Sequence, residues 1–218
     1  MKKLTSLMLA LSLGLSGFSS YALASDGGHY KITITNLTRG SLFTPALAVS
    51  HGRGVKVFTV GEPASDALAQ LAEGGNTQPV QDALFATGKA KDAANSGPVL
   101  PGQSVTMTVK AGYKTNRISL VSMILPTNDG FIALNGVKGP YKGQTKVFYV
   151  AAHDAGSEMN DEHCVNIPGP HCGGAGYDAA GGEGYVHIHA GIHGVGDLVA
   201  ADYDWRNPVA RVTVEHVK

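Results

Sequence analysis

The chain has 218 residues, 43% of them hydrophobic and 16% charged, with 17 lysines and arginines against 17 aspartates and glutamates. Balanced charge without any basic run gives no electrostatic case for nucleic acid or an anionic membrane surface. The 29 glycines have no three-residue period, which excludes collagen, and with ten prolines they indicate a turn-rich, all-β design.

Met1-Lys2-Lys3 followed by the apolar stretch Leu4–Phe18 and Ala22-Leu23-Ala24 has the order of an export signal, with a mature start at Ser25. Its apolar core is short for a ~20-residue membrane span and lacks a charged stop-transfer flank. No lipidation cysteine follows it. Residues 1–24 therefore read as a signal peptide and 25–218 as a single domain without a transmembrane segment, secreted or periplasmic. Loss of Lys2 and Lys3 leaves the mature chain with two more acidic than basic residues.

Tyr30–Thr38 alternates with β-branched residues and predicts the first strand; Thr44–His51 predicts a second. The period then changes. Ala64, Leu68, Leu71 and Ala72 recur at helical spacing, with Pro63 suited to a first turn and Gly74-Gly75 to a stop. Pro79–Phe85 predicts a shorter helix ending near Gly88, and Lys89–Pro98 reads as a polar connection. Further strands are expected at Ser104–Val109, Arg117–Leu125, Phe131–Leu134, Val147–Ala152 (as a buried strand) and Val209–Val214. The lone tryptophan, Trp205, reads as a packing anchor.

Two acidic turns leave these strands. Asn128-Asp129-Gly130 follows one, and Asp154-Ala155-Gly156-Ser157-Glu158-Met159-Asn160-Asp161-Glu162 follows another. Clustered carboxylates repel unless a cation lies between them, and Ca²⁺ takes six to eight oxygens at roughly 2.3–2.6 Å. The competing reading is a solvated acidic loop. Residues 156–182 form a long loop carrying the only cysteines, Cys164 and Cys172. An oxidising compartment favours a disulfide between them over metal ligation with His163 and His171.

A strand followed by Pro126-Thr127-Asn128-Asp129-Gly130-Phe131, then a short strand and Asp154-Ala155-Gly156-Ser157-Glu158 at a strand end, resembles the spondin N-terminal domain. Gly61, Glu62, Ala64, Ser65, Leu68, Leu71, Ala72 and Glu73 match an element of that family after its second strand. Asp204-Trp205-Arg206-Asn207-Pro208-Val209-Ala210 is similar to its bacterial members. The likeness covers most of residues 29–216. It implies a C2-like antiparallel β-sandwich of about eight strands with short helical insertions, and a calcium site between adjacent loops. The metal carboxylates fall on Asp129, Asp154 and Glu158, the last standing where animal members tend to have aspartate. The resemblance also implies an adhesive or ligand-recognition role toward an extracellular or cell-surface partner, without catalysis.

Five of the nine histidines lie between His163 and His193. His187 and His189 share one face of an expected strand, and His193 could return to that face after a turn. This is either a polar face hydrogen-bonded to its neighbours or a Zn²⁺ or Cu²⁺ site formed by His187, His189 and His193, with Asp197, Glu183 or His171 as a further ligand. Copper–zinc superoxide dismutases and cupins also use a His-x-His element. Only His216 follows His193, and no glutamate stands three or four residues after His189, so both comparisons fail on ligand count. Motifs for Ser or metalloprotease hydrolysis and for phosphate-binding loops are absent from the sequence.

Overall fold

A computed structural model describes residues 27–178 and 181–218; the expected signal peptide lies outside the described residues. The alternating runs become two antiparallel sheets. Strands β1 (His29–Asn36), β5 (Ser104–Lys110), β8 (Thr145–Val150) and β11 (Ala210–Val217) form one, in the order β5-β1-β11-β8. The other contains β3 (Leu47–His51), β4 (Ala90–Asn95), β6 (Arg117–Leu125), β7 (Gly130–Lys138), β9 (Ala152–Asp154) and β10 (His187–Ile188), in the order β10-β9-β7-β6-β3-β4. The two-residue β2 (Leu42–Phe43) pairs with β6. Eight of these strands have five or more residues, so the all-β sandwich has the expected scale.

The sheets bury side chains between them, and Ile32, Ile34, Leu120, Ile132 and Val212 are among those with no exposure. A second core lies on the outer face of the larger sheet, beneath α1 (Asp66–Gly74) and α2 (Gln78–Ala86). Strand β7 serves both cores by alternation: Ile132 and Leu134 face the other sheet, Phe131 and Ala133 the helices. Burial on both faces explains why β6 reads as an almost unbroken apolar run. A last short helix, α3 (Ala200–Tyr203), precedes β11.

Local chemistry fixes the helix ends. Ser65 caps α1 by accepting the Leu68 N–H at 3.3 Å, so Pro63 stands ahead of the cap rather than within the first turn. Gly75 closes the helix in the left-handed conformation (φ 68°). Two expectations change at sheet edges. Lys89–Pro98 contains β4, whose small, half-buried residues carry no clear alternation. Strand β8 is an edge strand with Val147 and Tyr149 exposed, not a buried one.

Trp205 is buried and packs against the inter-sheet core. Cys164 and Cys172 are joined by a disulfide, which removes the thiolates that metal ligation would need. A bridge across so short a segment is worth about 2–3 kcal/mol in the chain-entropy model. The double variant Cys164→Ser/Cys172→Ser should therefore melt about 5–10 °C lower. An unchanged midpoint in calorimetry would show that the loop is already ordered without the bridge.

Candidate metal centre

The site lies at the end of the larger sheet, where β6 turns into β7 and β9 runs beside β10. Thr127 builds the first turn: its Oγ1 donates to the Ile124 carbonyl at 2.6 Å and accepts the Gly130 N–H at 2.9 Å. Residue 130 has to be glycine, because a Cβ there would stand 2.7 Å from Thr127 Oγ1 and 3.0 Å from the His189 ring. Strand register then places Gly130, Asp154 and His187 on one rung, with Asp129 one residue before it. At the second turn, Gly156 adopts φ 63° with its Cα pressed against Tyr185; a Cβ would meet the Tyr185 carbonyl at 2.3 Å.

Asp129 and Asp154 are both wholly buried. Asp129 Oδ2 accepts the backbone N–H groups of Ser157 (2.8 Å) and Glu158 (3.1 Å), while its Oδ1 has no hydrogen-bond partner among the described residues. Burial, and then the charge of Asp154, push the Asp129 carboxyl up to about 8, against the pull of those two N–H groups. Asp154 Oδ1 accepts the Gly156 N–H at 2.8 Å, and Oδ2 accepts from Asn160 Nδ2 at 2.6 Å. The same amide reaches Glu183 Oε1 at 3.2 Å.

Glu158 stands between Asp129 and a second group of acids. Its backbone is tied to Asp129, but among the described residues Asn128 Nδ2, at 3.4 Å, is its carboxylate's only hydrogen-bond partner, and its Oε2 is buried without one. Burial raises the Glu158 carboxyl to about 7, with Glu73, Asp161 and Asp178 adding to the effect. Glu73 arrives from the last turn of α1, at the negative end of the helix dipole, and is itself buried. Its Oε2 accepts the Asp178 N–H at 2.7 Å, its Oε1 has no partner, and burial raises its pKa. Nothing in the sequence around Glu73 points to this role.

The remaining acids of the second turn hold the loop together. Asp161 accepts from the His163 N–H (2.9 Å), Asn128 (3.0 Å) and Asn166 (2.6 Å). Burial acts to raise its pKa, but these bonds outweigh it and keep the carboxyl below its ordinary value. Glu162 takes the backbone N–H groups of His193 (2.6 Å), Gly194 (2.7 Å) and Val195 (3.0 Å).

The histidines separate. His193 is exposed, with its ring nitrogen 3.3 Å from the Ala190 carbonyl. His189 is buried, and its Nδ1 accepts the Gly191 N–H at 3.0 Å. The proton of the neutral ring therefore sits on Nε2, a buried donor with no acceptor. Burial lowers the His189 pKa and favours that neutral form. His187 has the opposite tautomer: Nδ1 donates to the Ile188 carbonyl at 3.0 Å, and Nε2 stands 3.3 Å from Asp154 Oδ1.

Among the described residues, two groups of three bring ligand atoms within 4.8 Å of one another: Asp154, Glu183 and His187; and Cys164, His171 and Cys172, of which the cysteines are bonded to each other. Neither Asp129, Asp154 and Glu158 nor His187, His189 and His193 forms such a group.

A model of the family Spondin_N matches residues 32–159, more than half of the chain, taking in the first acidic turn and the second as far as Met159. No curated protein matches the chain.

Proposed function

We propose, from the premise that the chain belongs to the spondin N-terminal domain family, that it is an exported binding module whose end loops are fixed by a calcium ion. Export accords with the family and with the disulfide. The observation that carries the calcium reading is Asp129: a wholly buried carboxyl with one oxygen unpartnered, beside a second buried acid, Asp154. A divalent cation offsets that repulsion and supplies the missing partner. Asp129 and Asp154 would supply the charge. Glu158, bound to Asp129 through its own N–H, would complete the acid set with backbone carbonyls and water.

The ion would link the turn before β7 to the turn after β9 and so shape a surface for an extracellular or cell-surface ligand. Its role is structural and adhesive, and we propose no catalysis.

Thermal melting of metal-stripped protein tests this. Calcium at ~100 times its dissociation constant should add about 2.7 kcal/mol, or about 5–11 °C in midpoint, and Asp154→Ala should remove the shift. A midpoint indifferent to calcium would end the calcium reading.

A further inference from the structure

We infer that Asp154, Glu183 and His187 bind a zinc-class divalent ion, with a solvent molecule in the open position. The inference does not rest on the calcium reading: Glu183 and His187 stand outside that acid set, and only Asp154 is common to both.

The His187 tautomer is set by its neighbour. Carbonyl oxygens only accept, so His187 Nδ1 carries a proton and donates it to Ile188. In the neutral ring, Nε2 then presents a lone pair. That lone pair meets Asp154 Oδ1 at 3.3 Å, with no hydrogen bond between them, and the Glu183 carboxylate converges on the same point. An imidazole nitrogen and two carboxylates whose ligand atoms lie within 4.8 Å of one another are the donor set that a divalent cation takes. Two ligands bonded at ~2.0–2.1 Å in tetrahedral arrangement lie roughly 3.3–3.4 Å apart, which is the observed separation.

The surroundings prepare the ligands. Asn160 donates from one amide nitrogen to Asp154 Oδ2 and Glu183 Oε1 and so orients both carboxylates. The Ile188 carbonyl does the same for His187, the outer-shell arrangement usual for metal-bound imidazoles. Asp154 and His187 are cross-strand neighbours on β9 and β10, which makes their distance a property of the sheet. A second observation is the ring itself: His187 Nε2 is a buried nitrogen with no hydrogen-bond partner among the described residues.

Ligand chemistry selects the metal. Calcium and magnesium take oxygen, whereas an imidazole with carboxylates suits zinc and its transition-metal neighbours. Three protein ligands leave a position for water, and the exposure of Glu183 gives the ion a path in. Bound there, the ion would tie the end of the long disulfide loop to β9.

The test titrates metal-stripped protein with Zn²⁺ by calorimetry and with Co²⁺ by visible absorption. One equivalent should bind, with d–d bands of a four- or five-coordinate cobalt site. Glu183→Gln and His187→Gln should each weaken binding by about tenfold or more and change the cobalt spectrum, while their metal-free melting stays near that of the parent. Glu158→Gln should weaken the calcium response and leave zinc affinity within about a factor of three. Absence of stoichiometric zinc binding overturns the inference. So does zinc affinity unchanged in both Glu183→Gln and His187→Gln, which would assign the ion to exposed histidines such as His163. Loss of the calcium response alone, with zinc intact, would count only against the calcium reading.

Discussion

Asp129→Asn is expected to raise the melting temperature of the metal-free protein while removing its response to calcium. Both effects come from one atom. The aspartate keeps its Oδ2 on two backbone N–H groups but leaves Oδ1 buried and unpartnered, within reach of the Asp154 and Glu183 charges. Asparagine keeps the accepting oxygen and replaces the other with an amide donor of nearly the same size. Without metal, ionised Asp129 costs the fold about 1.4 kcal/mol for each unit by which its pKa exceeds 3.8, and that pKa stands at about 8. A rise of about four units makes that cost on the order of 6 kcal/mol at pH 8.5, and relief of half of it raises the midpoint by about 6–12 °C. With calcium the order reverses, because the variant has lost a charged ligand. Scanning calorimetry of both proteins, with chelator and with calcium, measures this. A variant less stable than the parent under chelator would mean that Asp129 serves the apo fold as it stands.

The strands are legible in the sequence wherever one face is buried and the other is not, or where both are. β1, β5, β6 and β11 are read at nearly their observed bounds for that reason. β4 is missed because an edge strand of Ala, Lys, Asp and Asn, held by pairing to β3, carries neither pattern. The acidic run is legible as a composition, but the separate surroundings of its acids are not. Asp154, Glu158, Asp161 and Glu162 stand within nine residues, yet Asp161 and Glu162 are held by hydrogen bonds within the loops, and burial raises Glu158 with Glu73 adding to the effect. Glu73 comes from a helix far away in the chain, and no spacing rule brings it there. The histidines show the same limit. Two-residue spacing places His187 and His189 near one another, but the neighbouring carbonyl and N–H give them opposite tautomers, and only His187 offers a lone pair to Asp154.

The pH dependence of the metal-free protein should run against the habit of acidic proteins. Asp129 and Glu158 have folded-state pKa values raised to about 8 and about 7, from 3.8 and 4.5. A raised carboxyl binds its proton more tightly when folded, so its contribution is fully present below the unfolded value and is lost as pH rises through the folded one. Glu73, raised by burial, acts in the same direction. His51, His153 and His189, lowered by burial, oppose it, but only below about pH 6.5, where the unfolded imidazoles become charged. Asp161 and Asp204, lowered by their hydrogen bonds against the effect of burial, exert theirs only in acid. From pH 6.5 to 8.5 the raised carboxyls therefore act without that opposition, Asp129 and Glu158 foremost among them. Across that range the midpoint under chelator should fall by several degrees, on the order of 2 kcal/mol or more in stability. Calcium favours the ionised carboxylates, so its stabilising effect should grow over the same interval and flatten the decline. Asp129→Asn should reduce the slope under chelator, leaving the part due to Glu158. A midpoint that is level or rises between pH 6.5 and 8.5 without metal would mean that these acids ionise at no cost to the fold, and the electrostatic case for a cation between them would fail.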